Sequence, residues 1–172
     1  MLRRTRKGVK IGLDIINSLL FADDITLVAS SKEELQFLLN LVFIYSRKWG
    51  FDFNPEKCKV LVFTNTPWRW SNVGYYLGLD RLEVVKRYCF LGVDLSYNLS
   101  FKFMKTRLVT KVEKILPLLS KAANEGLEVK ACIKFWDHAI RPILEYATEV
   151  WGLGRWDEAE RVQLKCGKRI LG

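Results

Sequence analysis

The apolar positions of this chain change their spacing twice. Up to residue 29 they fall in short runs of β-type residues, 8–12, 16–22 and 25–29, and each run reads as a strand. Asp23 and Asp24 separate the last two runs, so strand, acidic turn and strand is the economical reading. Both flanks are too apolar for a surface ribbon, and the hairpin is expected in a sheet with one face packed. From residue 31 the spacing becomes helical. Ser31-Lys32-Glu33-Glu34 forms a capping box, in which the Ser31 hydroxyl accepts from the amide three residues on and Glu34 reaches back to the Ser31 amide. Leu35, Leu38, Leu39, Val42 and Trp49 then mark one stripe, and Gly50 is suited to stop the helix in the left-handed conformation.

Short β-type runs return after the Asn54-Pro55 turn. Residues 58–63 read as a strand and 64–74 as a loop holding Pro67, Trp68 and Trp70. Residues 81–85 and 88–95 read as the two arms of a second hairpin. Beyond about Tyr97 the pattern is helical and amphipathic, in three pieces near 101–123, 128–150 and 157–170. Pro117 should kink the first piece, and Pro142 should kink the second or end a turn. The expected fold class is therefore α+β, with antiparallel hairpins and a packing helix in residues 1–97 and a helical segment in 98–172.

Composition sharpens this picture. A chain of 172 residues that is 49% hydrophobic has enough apolar material for a compact core. The 28 Lys and Arg against 19 Asp and Glu leave a net charge of +9, an excess that points toward a polyanion such as nucleic acid. Half of these basic residues lie after Ser100, and Arg3, Arg4, Arg6, Lys7 and Lys10 open the chain without an acid among them. Cys58, Cys89, Cys132 and Cys166 show no CxxC spacing, and with His138 as the one histidine a zinc site is not expected. They read as reduced cysteines of an intracellular protein. The basic start before residues 15–22 lacks an A-x-A-like cleavage site, and no apolar run is long enough to span a bilayer.

The chemistry-bearing feature is Asp23-Asp24. Adjacent carboxylates beside buried strands are costly unless something neutralises them, and a hard divalent cation such as Mg²⁺ does so through oxygen ligands. Two-metal phosphoryl transfer needs a carboxylate cluster of this type. For a bare pair of aspartates in a turn, an acidic tip facing water is the favoured reading.

The surroundings of the pair do carry a resemblance. Phe21-Ala22-Asp23-Asp24, followed by Ile25-Thr26-Leu27-Val28-Ala29 and a capped helix, resembles motif C of reverse transcriptases, closest to the non-LTR (LINE-like) retrotransposon group. Residues 8–12 match the usual lead-in to that motif. Trp49-Gly50-Phe51 through Asn54-Pro55-Glu56-Lys57-Cys58-Lys59-Val60 resembles motif D, and Tyr88-Cys89-Phe90-Leu91-Gly92-Val93 resembles motif E, the primer grip. Arg141-Pro142-Ile143-Leu144-Glu145-Tyr146-Ala147 through Trp151-Gly152, and residues 162–172, resemble the helical region that follows motif E.

The resemblance implies a partial right-hand polymerase palm in residues 1–97 and a thumb-like helical segment in 98–172. It implies Asp23 as a direct Mg²⁺ ligand and Asp24 as a second-line ligand or electrostatic partner. Lys57 would act on the departing pyrophosphate, with Lys59 its nearest competitor. Phe90, Leu91, Gly92 and Val93 would form the strand tip that holds the primer 3′ end; Cys89 departs from the aromatic or basic residue common at its position. Trp68, Trp70, Tyr75 and Tyr76 are base-stacking candidates for which packing of a loop onto the sheet is the favoured reading, and Lys102, Lys105, Lys111 and Lys114 are candidates to line a duplex backbone that equally read as a solvated helix face. The implied partners are an RNA template and a DNA primer, with no membrane and no small-molecule cofactor, in an intracellular, nuclear setting. The family also uses a motif A aspartate on a separate palm strand. Asp14, the one acid before Asp23, sits too close in sequence for that role. The chain is thus expected to be the C-terminal part of a reverse transcriptase that does not polymerise by itself. The alternatives are a nucleic-acid-binding remnant without catalysis and an inert retrotransposon relic.

Overall fold

The computed structural model describes residue 2, residues 5–66 and residues 73–171, with side chains through residue 169. Trp68 and Trp70 lie outside the described residues. The architecture is α+β, as expected, and the chain divides into two compact units, Met1–Tyr88 and Cys89–Gly172. The division comes earlier than the change of pattern at Tyr97.

The first unit opens with two antiparallel ribbons. Strand β1 (Val9–Ile11) pairs with β2 (Asp14–Ile16), and β3 (Ser18–Phe21) pairs with β4 (Asp24–Leu27). The apolar run 16–22 is thus broken at Asn17. This residue is buried, and its amide Nδ2 donates to Leu2 O at 2.9 Å and to Thr5 Oγ1 at 3.1 Å. A buried amide needs such partners, and the Asn17 carbonyl meanwhile accepts from Val28 N–H at 2.9 Å just beyond the Ser18–Leu27 pair of the β3–β4 ladder. The expectation of a packed hairpin is corrected in part. Among the described residues β3 and β4 form a two-stranded ribbon with Leu19, Leu20, Phe21 and Ile25 exposed, while Leu27 at its base packs into the core.

Helix α1 (Lys32–Trp49) begins and ends where the residue chemistry places it. The Glu34 amide donates to Ser31 Oγ at 3.2 Å, and Gly50 takes φ 70° with its N–H on Ser46 O. The reciprocal arm of the capping box is shifted by one residue, since the Glu34 carboxylate accepts from the Ser30 amide rather than that of Ser31. Leu38, Leu39 and Val42 are buried as the stripe predicts. Trp49 is 64% exposed, and the buried face continues through Ser46 instead.

Strands β5 (Lys59–Leu61), β6 (Tyr75–Leu77) and β7 (Asp80–Val85) form a three-stranded sheet in the order β5-β7-β6, with β5 parallel to β7 and β6 antiparallel to it. Leu39 of α1 joins Val60, Tyr75, Leu77 and Leu82 in the core of this unit, and each such burial is worth about 1.5–3 kcal/mol. Gln36 fastens the helix to the sheet. Its side-chain Nε2 donates to Tyr76 O at 2.8 Å and its Oε1 accepts from Tyr76 N–H at 2.9 Å.

The expected second hairpin is corrected. Residues 81–85 do not pair with 88–95; they lie in β7 between β5 and β6. Residues 88–95 instead fold back on themselves, as β8 (Arg87–Phe90) and β9 (Val93–Ser96) around a Leu91-Gly92 turn. Leu77-Gly78-Leu79-Asp80 and Leu91-Gly92-Val93-Asp94 look alike but differ in register: Gly78 is the first residue of its two-residue loop and Gly92 the second of its own.

The second unit continues with α2 (Lys102–Asn124), which runs on through Pro117. The expected helix at 128–150 is divided. After α3 (Val129–Phe135) the chain widens into a π turn at Trp136–Ile140, then forms α4 (Arg141–Leu144) and α5 (Thr148–Trp151). Pro142 accounts for the widening, since its ring collides with the carbonyl four residues back and it has no N–H to give. Helix α6 (Asp157–Leu171) closes the unit. Val112, Leu116, Leu119, Cys132, Ile140, Leu144, Val162 and Cys166 make one core, and Val93, Met104, Leu108 and Trp151 make a second. No helix among the described residues is long and apolar enough to cross a membrane.

Candidate functional site

The candidate residues fall on three tight loops. Asp23 and Asp24 are brought together at the tip of the β3–β4 ribbon. Phe21 pairs with Asp24, which leaves Ala22 and Asp23 as a two-residue turn. Ala22 has φ 50°, a left-handed value that the corresponding positions of two other turns give to glycine, Gly12 at 62° and Gly78 at 66°. The Cβ of alanine makes this conformation cost about 1 kcal/mol. Both aspartates are exposed. Among the described residues no group of three acidic, histidine or cysteine side chains could hold a metal ion.

Lys57 lies on a separate loop of the same unit. Asn54 builds that loop as an Asx turn, its Oδ1 accepting from Glu56 N–H at 3.0 Å while its carbonyl accepts from Lys57 N–H at 3.1 Å. Lys57 is exposed and has no ion-pair partner among the described residues. Its competitor Lys59 is engaged, with Nζ 2.7 Å from Glu83 Oε2 across the β5–β7 pair. Next to it, burial pushes the Cys58 thiol up, partly offset by the charge of Lys59.

Phe90, Leu91, Gly92 and Val93 belong to the second unit and form a hairpin tip rather than the end of one strand. Leu91 has φ 46° and Gly92 φ 77°, the paired positive values of a type I′ turn. Two helical side chains meet this tip. Arg107 of α2 donates from Nη2 to Gly92 O and from Nε to Asp94 Oδ2, and Asp94 is nearly buried. Tyr146 donates from its hydroxyl to Leu91 O at 2.7 Å. Glycine suits this position by its φ, and a Cβ at Gly92 would stand 3.0 Å from the Tyr146 ring, which would have to give way slightly. Neither Arg107 nor Asp94 was singled out by sequence reasoning, and Tyr146 entered only within a resembling segment. Their contacts span 13, 15 and 55 residues, and no local pattern announces such pairs.

The remaining candidates divide. Tyr75 is buried in the sheet core and Tyr76 is 45% exposed. Trp151 is buried, its Nε1 donating to Tyr146 O at 2.8 Å, and its ring meets Trp156 edge-on. His138 Nδ1 lies 2.8 Å from Lys134 O, one helical turn away.

Comparison with known proteins decides the family. The profile described as "Reverse transcriptase (RNA-dependent DNA polymerase)" matches residues 1–95, more than half of the chain. This chain belongs to the reverse transcriptase family. The match takes in the aspartate turn, the Lys57 loop and the β8–β9 tip, so the resemblance read from the motifs is borne out. Two fruit-fly (Drosophila melanogaster) reverse transcriptase relatives agree with it. "Probable RNA-directed DNA polymerase from transposon BS" is 24% identical over 154 residues, covering 84% of this chain and 17% of that protein. "Retrovirus-related Pol polyprotein from type-2 retrotransposable element R2DM" is 28% identical over 96 residues, covering 52% of this chain and 9% of that protein. The chain thus spans less than a fifth of either relative. No solved structure matches it.

Reverse transcriptases are metal-dependent as a family, and the residues present fit part of such a site. Magnesium is commonly held by one or two carboxylates, with waters and substrate phosphates completing its shell. Asp23 and Asp24 supply two carboxylates on an exposed turn that a nucleotide or a metal can reach.

Proposed function

We propose that this chain is a piece of a LINE-like retrotransposon reverse transcriptase that contributes one carboxylate-bearing half of the polymerase metal centre. One observation carries the reading: adjacent aspartates at the tip of a hairpin, Asp23 in its two-residue turn and Asp24 opening β4, inside a segment that matches the reverse transcriptase family. In it, residues 1–97 act as part of the palm and 98–172 as a thumb-like helical segment. The ligands are an RNA template and a DNA primer, and the setting is nuclear.

When bound, Mg²⁺ would activate the primer 3′-oxygen and offset charge on the departing pyrophosphate. Asp23 would bind it directly, and Asp24 would add negative charge beside it. Lys57 would donate a proton to the leaving pyrophosphate or neutralise it. Its lack of an ion-pair partner among the described residues favours it over Lys59, whose ammonium is committed to Glu83. The Phe90–Val93 tip would seat the primer 3′ end.

Two carboxylates on one turn do not enclose two ions, so the chain alone is expected to bind a primer–template without extending it. Purified chain, an RNA template, a DNA primer, nucleotides and Mg²⁺ test this directly. No extension is expected, with binding at low ionic strength that weakens steeply as salt is added. Extension that disappears in Asp23→Asn would overturn the inactivity, and absence of duplex binding at low salt would overturn the nucleic-acid reading. The second reading, a binding module without catalysis, is favoured by the lack of a third metal-binding side chain among the described residues. It predicts duplex affinity that is indifferent to Mg²⁺ and to changes at Asp23 and Asp24.

A further inference from the structure

The β8–β9 tip is held in a way that its own sequence does not provide. A type I′ turn wants residues that tolerate positive φ at both central positions, Asn-Gly above all. Here the first position is Leu91 at φ 46°, a value disfavoured for a side chain with a γ-branch beyond its Cβ. External contacts hold it there. The two turn carbonyls are each taken by a donor from a different helical segment: Gly92 O by Arg107 Nη2 from α2, and Leu91 O by the Tyr146 hydroxyl from the stretch after α4. Arg107 also spans to Asp94 at the start of β9, so one guanidinium fixes the turn and the strand leaving it.

Tyr146 is in turn anchored. Trp151, buried in the second core, donates its indole N–H to the Tyr146 carbonyl, and Ala147 takes φ 55° to bend the chain between them. The result is a tip whose carbonyl oxygens, which would repel a phosphate, are covered by donors, one of them cationic. The apolar Leu91 side chain is left 40% exposed at its end.

We propose that Arg107 and Tyr146 are positioning residues that set the Leu91-Gly92 tip in the shape that receives the recessed 3′ end of a primer on its template. This rests on the reading of residues 90–93 as the primer-contacting tip. Neither side chain need touch the primer; both act through the two carbonyls.

The test uses the full chain and two duplexes, a DNA primer with a recessed 3′ end on an RNA template and a blunt duplex of equal length. The quantity read is the ratio of the two affinities by fluorescence anisotropy, with thermal unfolding recorded for each variant. Wild type is expected to favour the recessed end. Tyr146→Phe, which removes one hydroxyl, and Arg107→Lys, which keeps the charge but loses the two-pronged reach, are each expected to lower that ratio at least threefold. Amide resonances of Leu91 and Gly92 are expected to shift and broaden in the same variants. A wild-type preference that both folded variants retain overturns the positioning role and leaves the primer-contact reading standing. A wild type with no preference overturns that reading and this inference with it. If one variant fails to fold the other decides, and failure of both assigns the pair to stability alone, which also overturns the proposal.

Discussion

Two of the hairpin tips of this chain present the same backbone problem and solve it differently. At Ala22-Asp23 and at Leu91-Gly92, a non-glycine residue sits at positive φ in a two-residue turn. Among the described residues the aspartate tip is held by its own ladder, with exposed apolar side chains on the strands behind. The Leu91-Gly92 tip is bound by an arginine and a tyrosine and set against a buried aspartate. A tip that is to receive a polyanion benefits from being fixed beforehand. On the proposed reading, a tip made of two carboxylates would gain its organisation when a cation arrives.

The contrast is broken most forcefully at Arg107. Arg107→Ala strands the Asp94 carboxylate in a nearly buried position and uncovers Gly92 O, and is expected to cost about 3 kcal/mol. The midpoint of urea unfolding reads this. Gly92→Ala places a Cβ at φ 77° and against the Tyr146 ring, and should cost about 2 kcal/mol, seen as a lowered Tm. The aspartate tip should respond with the opposite sign. Ala22→Gly relieves the left-handed alanine and is expected to stabilise by about 1 kcal/mol in the same assay. A loss of stability there would mean that Ala22 makes a contact worth more than its strain.

Much of this was legible from local signals. Ser31 and Gly50 mark α1 because capping chemistry acts within a turn of the residue that carries it, and the hairpin tip at Asp23-Asp24 is framed by its two flanking runs, with the turn itself one residue earlier, at Ala22-Asp23. The β8–β9 turn was hidden, because leucine at a positive φ violates the rule by which such turns are found, and its support comes from residues up to 55 positions away. The parallel β5–β7 pairing was hidden for a related reason: it joins strands some twenty residues apart across an intervening edge strand. The change of strand partner at Asn17, whose buried side chain reaches Leu2 and Thr5, is likewise not encoded in spacing.

A gentler comparison uses pH. Burial raises the thiol of Cys58 and the phenol of Tyr75 in the first unit and the thiol of Cys166 in the second. The unfolded chain therefore releases these protons first. Stability should hold through neutral pH and fall as pH rises through the ordinary thiol range, with phenol ionisation adding to the loss further up. Urea midpoints across that range check the sign. At neutral pH the exposed Cys89 should be alkylated by iodoacetamide well before Cys58, as mass spectrometry of digests would show. The smallest effect belongs to the aspartate tip itself. Asp23→Asn and Asp24→Asn should leave stability within about 0.5 kcal/mol when no divalent cation is present, because neither carboxylate is buried.

Gln36 has a consequence for assembly. By answering both backbone groups of Tyr76, its carboxamide stands where an incoming chain would have to begin its ladder. Among the described residues β5 (Lys59–Leu61) is the other edge of this sheet, and a further strand would be expected to add there rather than along β6. Replacing Gln36 with leucine would remove that stopper, and concentrated protein should then associate through β6.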